Sequence, residues 1–253
     1  DGGGLITMPN GFGGNSGVAT TIDVNNNGSG SNGLIQLNGV AKYGNGTLNV
    51  TGGNGYNLSI AGFDNNAGTA GTSVLNPTTA NLTLGSYSSS TNFAKTLQLN
   101  GTTVGNSVTG AIANGTAGTV ALTKANTGTW GLSGTNSYTG ATSVNAGTLV
   151  INGDSSAATG TVTVAADATL AGNGNLGGAV TINLGGHQAI AVAATPASQV
   201  TRTISGVLTL TAGNILDLTA GTTPADGSYT LVTANGGIVG TPTSVNLSGL
   251  GGT

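Results

Sequence analysis

The sequence predicts an all-β protein whose strands wind into a parallel β-helix, or β-solenoid, with coils of about 18–21 residues. Three observations predict this fold: short segments in which apolar and polar residues alternate, clusters of Gly and Asn between them, and a nearly constant spacing of the segments. No helix is predicted, because no apolar residues recur with a helical period and Glu is absent. The 48 Gly residues also disfavour helix, since each interior Gly costs it about 1 kcal/mol.

Two interleaved series of segments define the repeat. The first contains GTWGL, GTLVI, ATLAG and GVLTL, which begin at Gly128, Gly147, Ala168 and Gly206 with steps of 19, 21 and 38 residues. The last step is interpreted as two periods of 19. The second series contains ATSV, TVTV and AVTI, which begin 20 and 18 residues apart within 141–182. A meander of antiparallel strands would also contain short strands, but the repeated order of two strands per period favours a solenoid.

Stacking of such coils predicts which side chains point inward. Equivalent positions in successive coils would lie about 4.8 Å apart, so apolar residues would form columns inside the solenoid. Small residues at the corners would let the backbone turn tightly. The predicted inward residues are Leu132, Val144, Leu149, Ile151, Val162, Val164, Leu170, Val180, Ile182, Leu208 and Leu210.

The two parts of the chain differ in regularity. Residues 1–118 are predicted to form an irregular solenoid with loop insertions, and residues 119–253 a regular one. Segments 25–33 (NNNGSGSNG) and 63–73 (FDNNAGTAGTS) are predicted to be loops that leave the solenoid wall. No linker separates the parts, so we expect one continuous domain.

Composition excludes several functional classes. The 253 residues include four Lys or Arg, seven Asp, one His and no Cys, with a net charge of −3. The absence of a basic surface argues against nucleic acid as a partner, and no apolar run is long enough for a transmembrane segment. The sequence begins at Asp1 without Met, which is expected of a mature exported protein whose signal peptide has been removed.

Residues 119–153 read TVALTKANTGTWGLSGTNSYTGATSVNAGTLVING. This segment closely resembles the autotransporter-associated β-strand repeat of bacterial surface proteins. The resemblance implies a right-handed parallel β-helix that is secreted and displayed outside the cell, but it implies no particular activity. The matching positions are Lys124, Gly128, Thr129, Ser133, Gly134, Asn136, Tyr138, Thr139, Gly140, Thr142, Val144, Gly147, Thr148 and Leu149.

Candidate sites are few, and none is predicted to be catalytic, cofactor-binding or metal-binding. Gly172, Gly174 and Gly177 in GNGNLG match a dinucleotide fingerprint, but a strand is predicted to follow where the fingerprint requires a helix. His187 is expected in an exposed loop, without a Ser, Cys or Asp partner at a recognised spacing. No cofactor is predicted.

Acidic and aromatic residues also favour structural roles. Glycoside hydrolysis requires a pair of nearby carboxylates, whereas Asp154 and Asp167 are separated by less than one predicted coil and fit turns better than one shared site. Trp130 and Tyr138 could stack on sugars, but the resembled repeat has an apolar and an aromatic residue at these positions, so packing is expected.

The favoured function is therefore a non-enzymatic extracellular structural protein that assembles into a surface or matrix fibre. Copies of the chain would dock head to tail, with a possible exchange of terminal strands. Deletion of 1–12 or 245–253 would then stop elongation, while deletion within 63–73 would not. One alternative is an adhesin passenger that binds a surface or cell-surface glycans. The other, less favoured, is a polysaccharide-active enzyme.

Overall fold

A computed structural model describes residues 5–6, 13–14, 17–25 and 31–249 of the chain. These residues form short strands and one 3-10 helix, Pro196–Ser198, and contain no α-helix. The strands are β1 Leu5–Ile6, β2 Gly13–Gly14, β3 Ala19–Asp23, β4 Leu34–Tyr43, β5 Gly46–Thr51, β6 Asn57–Asp64, β7 Gly71–Pro77, β8 Leu82–Leu84, β9 Tyr87–Ser88, β10 Lys95–Leu99, β11 Asn106–Val108, β12 Val120–Lys124, β13 Thr129–Leu132, β14 Thr142–Val144, β15 Gly147–Ile151, β16 Val162–Val164, β17 Ala168–Ala171, β18 Val180–Ile182, β19 His187–Val192, β20 Arg202–Ile204, β21 Leu208–Leu210, β22 Ile215–Ala220, β23 Val232–Ala234, β24 Ile238–Val239 and β25 Ser244–Ser248.

The strands belong to three parallel sheets, which confirms the predicted β-solenoid. Sheet A has the order β1-β4-β6-β8-β11-β13-β15-β17-β19-β22-β25, with β2 and β9 attached to β4 and β6. Sheet B has the order β24-β21-β18-β16-β14-β12-β10-β7-β5-β3, and sheet C contains only β20 and β23. From β3 onward, each coil contributes one strand to sheet B and then one to sheet A.

The core is a set of columns in which apolar side chains of successive coils stack. Trp130 pairs with Leu149, and Leu149 pairs with Leu170 in the next strand of sheet A. Of the eleven residues predicted to point inward, ten are buried, and Leu210 is half-buried and packs against the same core. The alternation of apolar and polar residues therefore identified the buried face correctly.

Coil length varies more than the repeat suggested. Between β12 and β19 the paired strands follow the predicted repeat closely, as in the step from Leu149 to Leu170. Earlier coils are longer, as in the step from Leu34 to Asn57, and the step from Leu208 to Ile238 is longer still. The division at residue 118 stays a prediction, although the change in coil length occurs close to it.

The assignment of the segment at Gly206 to the first series is wrong. Leu208 pairs with Val180, so this segment lies in sheet B with the second series. The true next strand of sheet A is β19, whose sequence HQAIAV lacks the Gly-Thr start of the earlier segments. After β19 the chain passes through the 3-10 helix and β20 before it returns to sheet B. Because this insertion lengthens the coil, the step to Gly206 is about twice the repeat and was interpreted as two periods.

The predicted loop at 63–73 is wrong at both of its ends, because strands extend into it from both sides. β6 continues through Asp64 and β7 begins at Gly71. Phe63 is buried in a column of aromatic rings, with its centroid 5.5 Å from that of Tyr43 and 5.6 Å from that of Tyr87. Only 65–70 lie outside strands. In the other predicted loop, residues 26–30 lie outside the described residues.

Candidate functional site

Half of the residues that carry the resemblance lie between strands, at corners of the coils, and the other half lie in β12 to β15. Lys124 is fully buried, and its Nζ donates hydrogen bonds to the carbonyl oxygens of Ala125, Asn126 and Ala146 at 2.8, 2.7 and 3.0 Å. Burial lowers the pKa of Lys124 to about 8. Its ammonium group therefore connects two corners and is not presented to a ligand.

Asn136 connects coils on both sides of its own. Its Oδ1 accepts a hydrogen bond from the backbone N–H of Ile112 at 2.9 Å, and its Nδ2 donates to Ser155 Oγ at 3.0 Å. Because Asn136 is fully buried, these bonds satisfy polar groups that water cannot reach.

Trp130 and Tyr138 are packing residues. Trp130 is fully buried in the core, and its Nε1 donates to the carbonyl oxygen of Asn100 at 2.7 Å. The hydroxyl of Tyr138 lies 2.7 Å from Thr142 Oγ1, and burial raises the pKa of Tyr138 to about 12. Neither ring is accessible to a sugar.

The GNGNLG segment is a tight turn that leads into β18, a strand and not a helix. Gly172 has a φ of +90°, and a Cβ on Gly174 would collide with the carbonyl oxygen of Gly153 in the preceding coil. The glycines therefore permit close contact between coils. Asp167, with a φ of +59°, and Asp154, whose Oδ1 accepts from Ser156 N at 3.0 Å, also lie in turns.

The expectation for His187 is wrong in two respects. His187 is the first residue of β19 and is about three-quarters buried, with 25% of its side chain exposed. Its Nδ1 lies 2.6 Å from Oδ2 of Asp217 in β22, and Oδ1 of Asp217 accepts a hydrogen bond from Asn246 Nδ2 at 2.6 Å. The coils here are longer than the predicted repeat. Stacking therefore brings His187 and Asp217 together although their separation in the sequence matches no familiar motif.

A groove lies beside this pair on the outer face of sheet A, and we call it the sheet A groove. Val150, Ala171 and Ala189 form its floor, in one row across β15, β17 and β19. Asn152, Asn173 and Val200 line it as well, and its volume is about 490 Å³. The next residue in this row after Ala189 is Asp217, which pairs with His187. Asp217 therefore lies beside one end of the floor.

Polar groups at the groove are incompletely paired. Oδ1 of Asn173 is buried without a hydrogen-bond partner among the described residues, while Oδ1 of Asn152 accepts from the backbone N–H of Asn173 at 3.4 Å. Arg202 is fully buried and donates to the carbonyl oxygens of Ala171 and Gly172. Burial lowers the pKa of Arg202 to about 10, and its Nε and Nη1 have no partner in the described part of the chain.

The last described coil has a different character, because its apolar side chains are exposed. Ile238, Val239, Val245 and Leu247 are each more than half exposed. A cavity of about 340 Å³ opens beside this coil and is lined mainly by apolar side chains, among them Leu208, Leu216 and Ile238. Gln188 also lines it, and its Nε2 has no partner among the described residues.

Comparison with known proteins finds a family similar to one segment of the chain. Residues 122–151 match the family model described as a passenger-associated-transport-repeat. This segment is therefore similar to an autotransporter passenger repeat. A segment of 51 residues is also 55% identical to the adhesin BmaC autotransporter of Brucella suis biovar 1 (strain 1330), which is 20% of this chain and 2% of that protein. The chain thus spans only a small part of this relative's length. No solved structure is significantly similar to it.

The passenger repeat coincides with the most regular coils, from β12 to β15, whereas the sheet A groove and the His187–Asp217 pair lie largely beyond it. Sequence reasoning missed both features because each depends on contacts between coils whose length departs from the repeat. Of the described residues, no three or more His, Cys, Asp or Glu side chains are placed to hold a metal ion. In the same residues, no helix has the length and apolar character needed to cross a membrane.

Proposed function

We propose that the chain is a rigid β-solenoid segment of a cell-surface autotransporter passenger and acts as an adhesin-type binding module. The observation that carries the proposal is the match of residues 122–151 to the passenger repeat, within which Lys124 and Asn136 connect successive coils. The segment similar to an autotransporter adhesin supports binding at the cell surface over catalysis. The role that we propose is extracellular and non-enzymatic.

The outer surface suits such a module because it is polar and nearly free of charge. On sheet B, the outward residues Thr163, Thr181 and Thr209 occupy one row across adjacent coils. Parallel strands fix these hydroxyl groups about 4.8 Å apart, without the side-chain entropy of long charged residues. Rows of this kind give a partner a repeated and rigid set of contacts.

Binding to cells tests the proposal. The full chain, fluorescently labelled, is incubated with cultured epithelial cells, and bound label is measured by flow cytometry over increasing protein concentration. We expect saturable binding that unlabelled chain displaces. Heat-unfolded chain serves as the control. Binding no greater than that of serum albumin would contradict the proposal.

A second candidate function, a self-assembling surface or matrix fibre, is favoured by the exposed apolar side chains of the last described coil. The edges of β24 and β25 carry backbone groups without a strand partner among the described residues, and another parallel coil would satisfy them. Coil length also fits head-to-tail docking, with or without strand exchange. In sheet B, the first described coil, from Ala19 to Thr47, and the last, from Leu208 to Ile238, are of similar length.

Electron microscopy of negatively stained protein tests fibre formation. The parent chain is expected to form uniform filaments, while Leu247→Asp is expected to remain a monomer of 24.0 kDa because a charge would enter the docking surface. Val104→Asp is a matched control, since Val104 is 74% exposed and lies far from that coil in the sequence. A parent chain that stays monomeric at every concentration would exclude the fibre.

A further inference from the structure

We propose that the sheet A groove binds a neutral saccharide unit of a glycan. This inference rests on the proposed adhesin function and names the ligand class and its site. Only Val150 of the groove lies within the passenger repeat, and the other lining residues come from 152–219.

The shape of the floor fits the apolar face of a sugar ring. Val150, Ala171 and Ala189 are small side chains in one row on three adjacent parallel strands, so the floor is flat and its spacing is fixed by backbone hydrogen bonds. The C–H groups of a pyranose ring can pack on such a surface without an aromatic platform. The volume of about 490 Å³ lies within the range of small-ligand sites.

One wall of the groove is held in place before any ligand arrives. Val200 belongs to the segment between β19 and β20. The side chain of Gln199 forms hydrogen bonds within this segment and to β19. Gln199 Oε1 accepts from the N–H of Ala193 at 2.9 Å, and its Nε2 donates to the carbonyl oxygens of Ala191 and Val200 at 3.1 and 2.9 Å. The insertion that lengthens this coil therefore forms an ordered wall, which lowers the entropic cost of binding.

The polar atoms of the groove select for hydroxyl groups. Oδ1 of Asn173 is a buried acceptor without a partner among the described residues, and a sugar hydroxyl would donate to it. Asp217 lies next to Ala189 in the same row but does not line the groove, and its two carboxylate oxygens already pair with His187 and Asn246. The unpaired oxygen of Asn173 therefore favours a ligand rich in hydrogen-bond donors.

The charges near the groove favour a neutral saccharide over an anionic one. The guanidinium of Arg202 is fully buried and bonded to backbone carbonyls, so it cannot reach a ligand in the groove. The carboxylate of Asp217 is 25% exposed on the same face and would repel a sugar acid. A neutral sugar can donate to Asn173 Oδ1 without this repulsion.

Titration calorimetry with defined oligosaccharides tests the inference. The probes are cellotetraose, mannotetraose and N-acetylchitotetraose, with tetragalacturonate as the anionic comparison. We expect at least one neutral probe to bind and Ala189→Trp, which fills the groove, to weaken that binding about tenfold or more. Val104→Trp, at a position that is 74% exposed and lies outside both the groove and the threonine row of sheet B, is the matched control and is expected to bind like the parent.

A second groove variant is available if the first does not fold, and several results would contradict the inference. If Ala189→Trp fails to fold by circular dichroism, Asn173→Leu replaces it and is expected to weaken binding several-fold. The inference is overturned if no neutral probe binds at about 10 mM, if only tetragalacturonate binds, or if the folded groove variant binds like the parent. Cell binding by a folded groove variant equal to that of the parent would overturn the groove alone, whereas oligosaccharide binding without cell binding would overturn the adhesin function alone.

Discussion

Buried polar side chains in this chain act chiefly between coils. Three of its four Lys and Arg side chains are buried, and each donates to backbone carbonyl oxygens and not to a carboxylate. The repeat pattern marked Lys124 as characteristic, but its role became clear only when stacking placed Ala146 beside it. A single sequence shows which residues recur, whereas their partners depend on the register between coils.

Replacement of Leu149 by Asp should unfold its coil. Leu149 is fully buried between Trp130 and Leu170, where a carboxylate would have no partner. We expect a loss of about 4 kcal/mol or more in the free energy of unfolding, measured by urea denaturation. Thr148→Asp, which places the same charge on the outer face of the same strand, should change it little. Equal stability of the two variants would refute the inward assignment.

The stability of the solenoid should rise between pH 8 and pH 10. The pKa of Lys124 falls from its ordinary value of 10.5 to about 8 in the folded chain, because burial disfavours the charged ammonium. The unfolded chain therefore binds more protons over this interval, so raising the pH favours the folded state. Below pH 8 the Lys124 ammonium is protonated in both states, so this gain in stability is absent there.

Urea denaturation at pH 7 and pH 10 measures this dependence. Lys124→Met should reduce the rise in stability between the two pH values, and Lys42→Met, at an exposed position, should leave it unchanged. Burial lowers the pKa of Lys95 and of Arg202 as well, so part of the rise should persist in the Lys124 variant. A parent chain that is less stable at pH 10 than at pH 7 would contradict this account.

At the scale of single elements, strands were predictable where alternation and glycine turns coincide. β14 to β18 follow that pattern, and their buried faces were identified from sequence. β19 was missed because its sequence, HQAIAV, lacks the Gly-Thr start. The ends of segment 63–73 were wrongly predicted to be loop, because Asn and Gly usually indicate loops but here flank buried strand ends. Composition alone does not distinguish an exposed Asn from one that is buried and fully hydrogen-bonded.

Asn65 illustrates that difference and gives a sharp comparison. It is fully buried, its Nδ2 donates to Ser73 Oγ at 2.7 Å, and its Oδ1 accepts from Ala67 N at 3.1 Å. Asn65→Ala should lower the free energy of unfolding by about 1–3 kcal/mol, because buried partners lose their hydrogen bonds. The adjacent Asn66 is exposed, so Asn66→Ala should have little effect. Thermal melting of both variants is the measurement, and similar melting temperatures would contradict the assignment.

The same contacts revise the expected effect of a deletion. Lys95 Nζ donates to the carbonyl oxygens of Ala67 and Thr69 at 2.7 and 2.6 Å, so 65–70 supplies acceptors to a buried cation. Removal of this segment should therefore destabilise the coils around it, contrary to the expectation from sequence. The predicted effects of deleting 1–12 and 245–253 stay predictions.

At the scale of the whole molecule, the parallel solenoid and its inward face were predictable, while the candidate site was not. The solenoid follows from a short-range pattern repeated many times, so an error in one coil leaves the others correct. The sheet A groove depends on one inserted segment near Val200 and on coils longer than the repeat. The sequence pattern predicts neither feature. Features that occur only once in a repetitive chain are therefore identified from the structure and not from the sequence pattern.

The central claim is that the folded solenoid acts as an adhesin-type passenger segment, and bacterial attachment tests it most directly. The chain is displayed on a non-adherent bacterium, and cells attached to an epithelial layer are counted after washing. The account predicts a several-fold increase over undisplayed cells, which Leu149→Asp abolishes and Thr148→Asp retains. Attachment equal to that of undisplayed cells, with the chain intact on the surface, would contradict the claim.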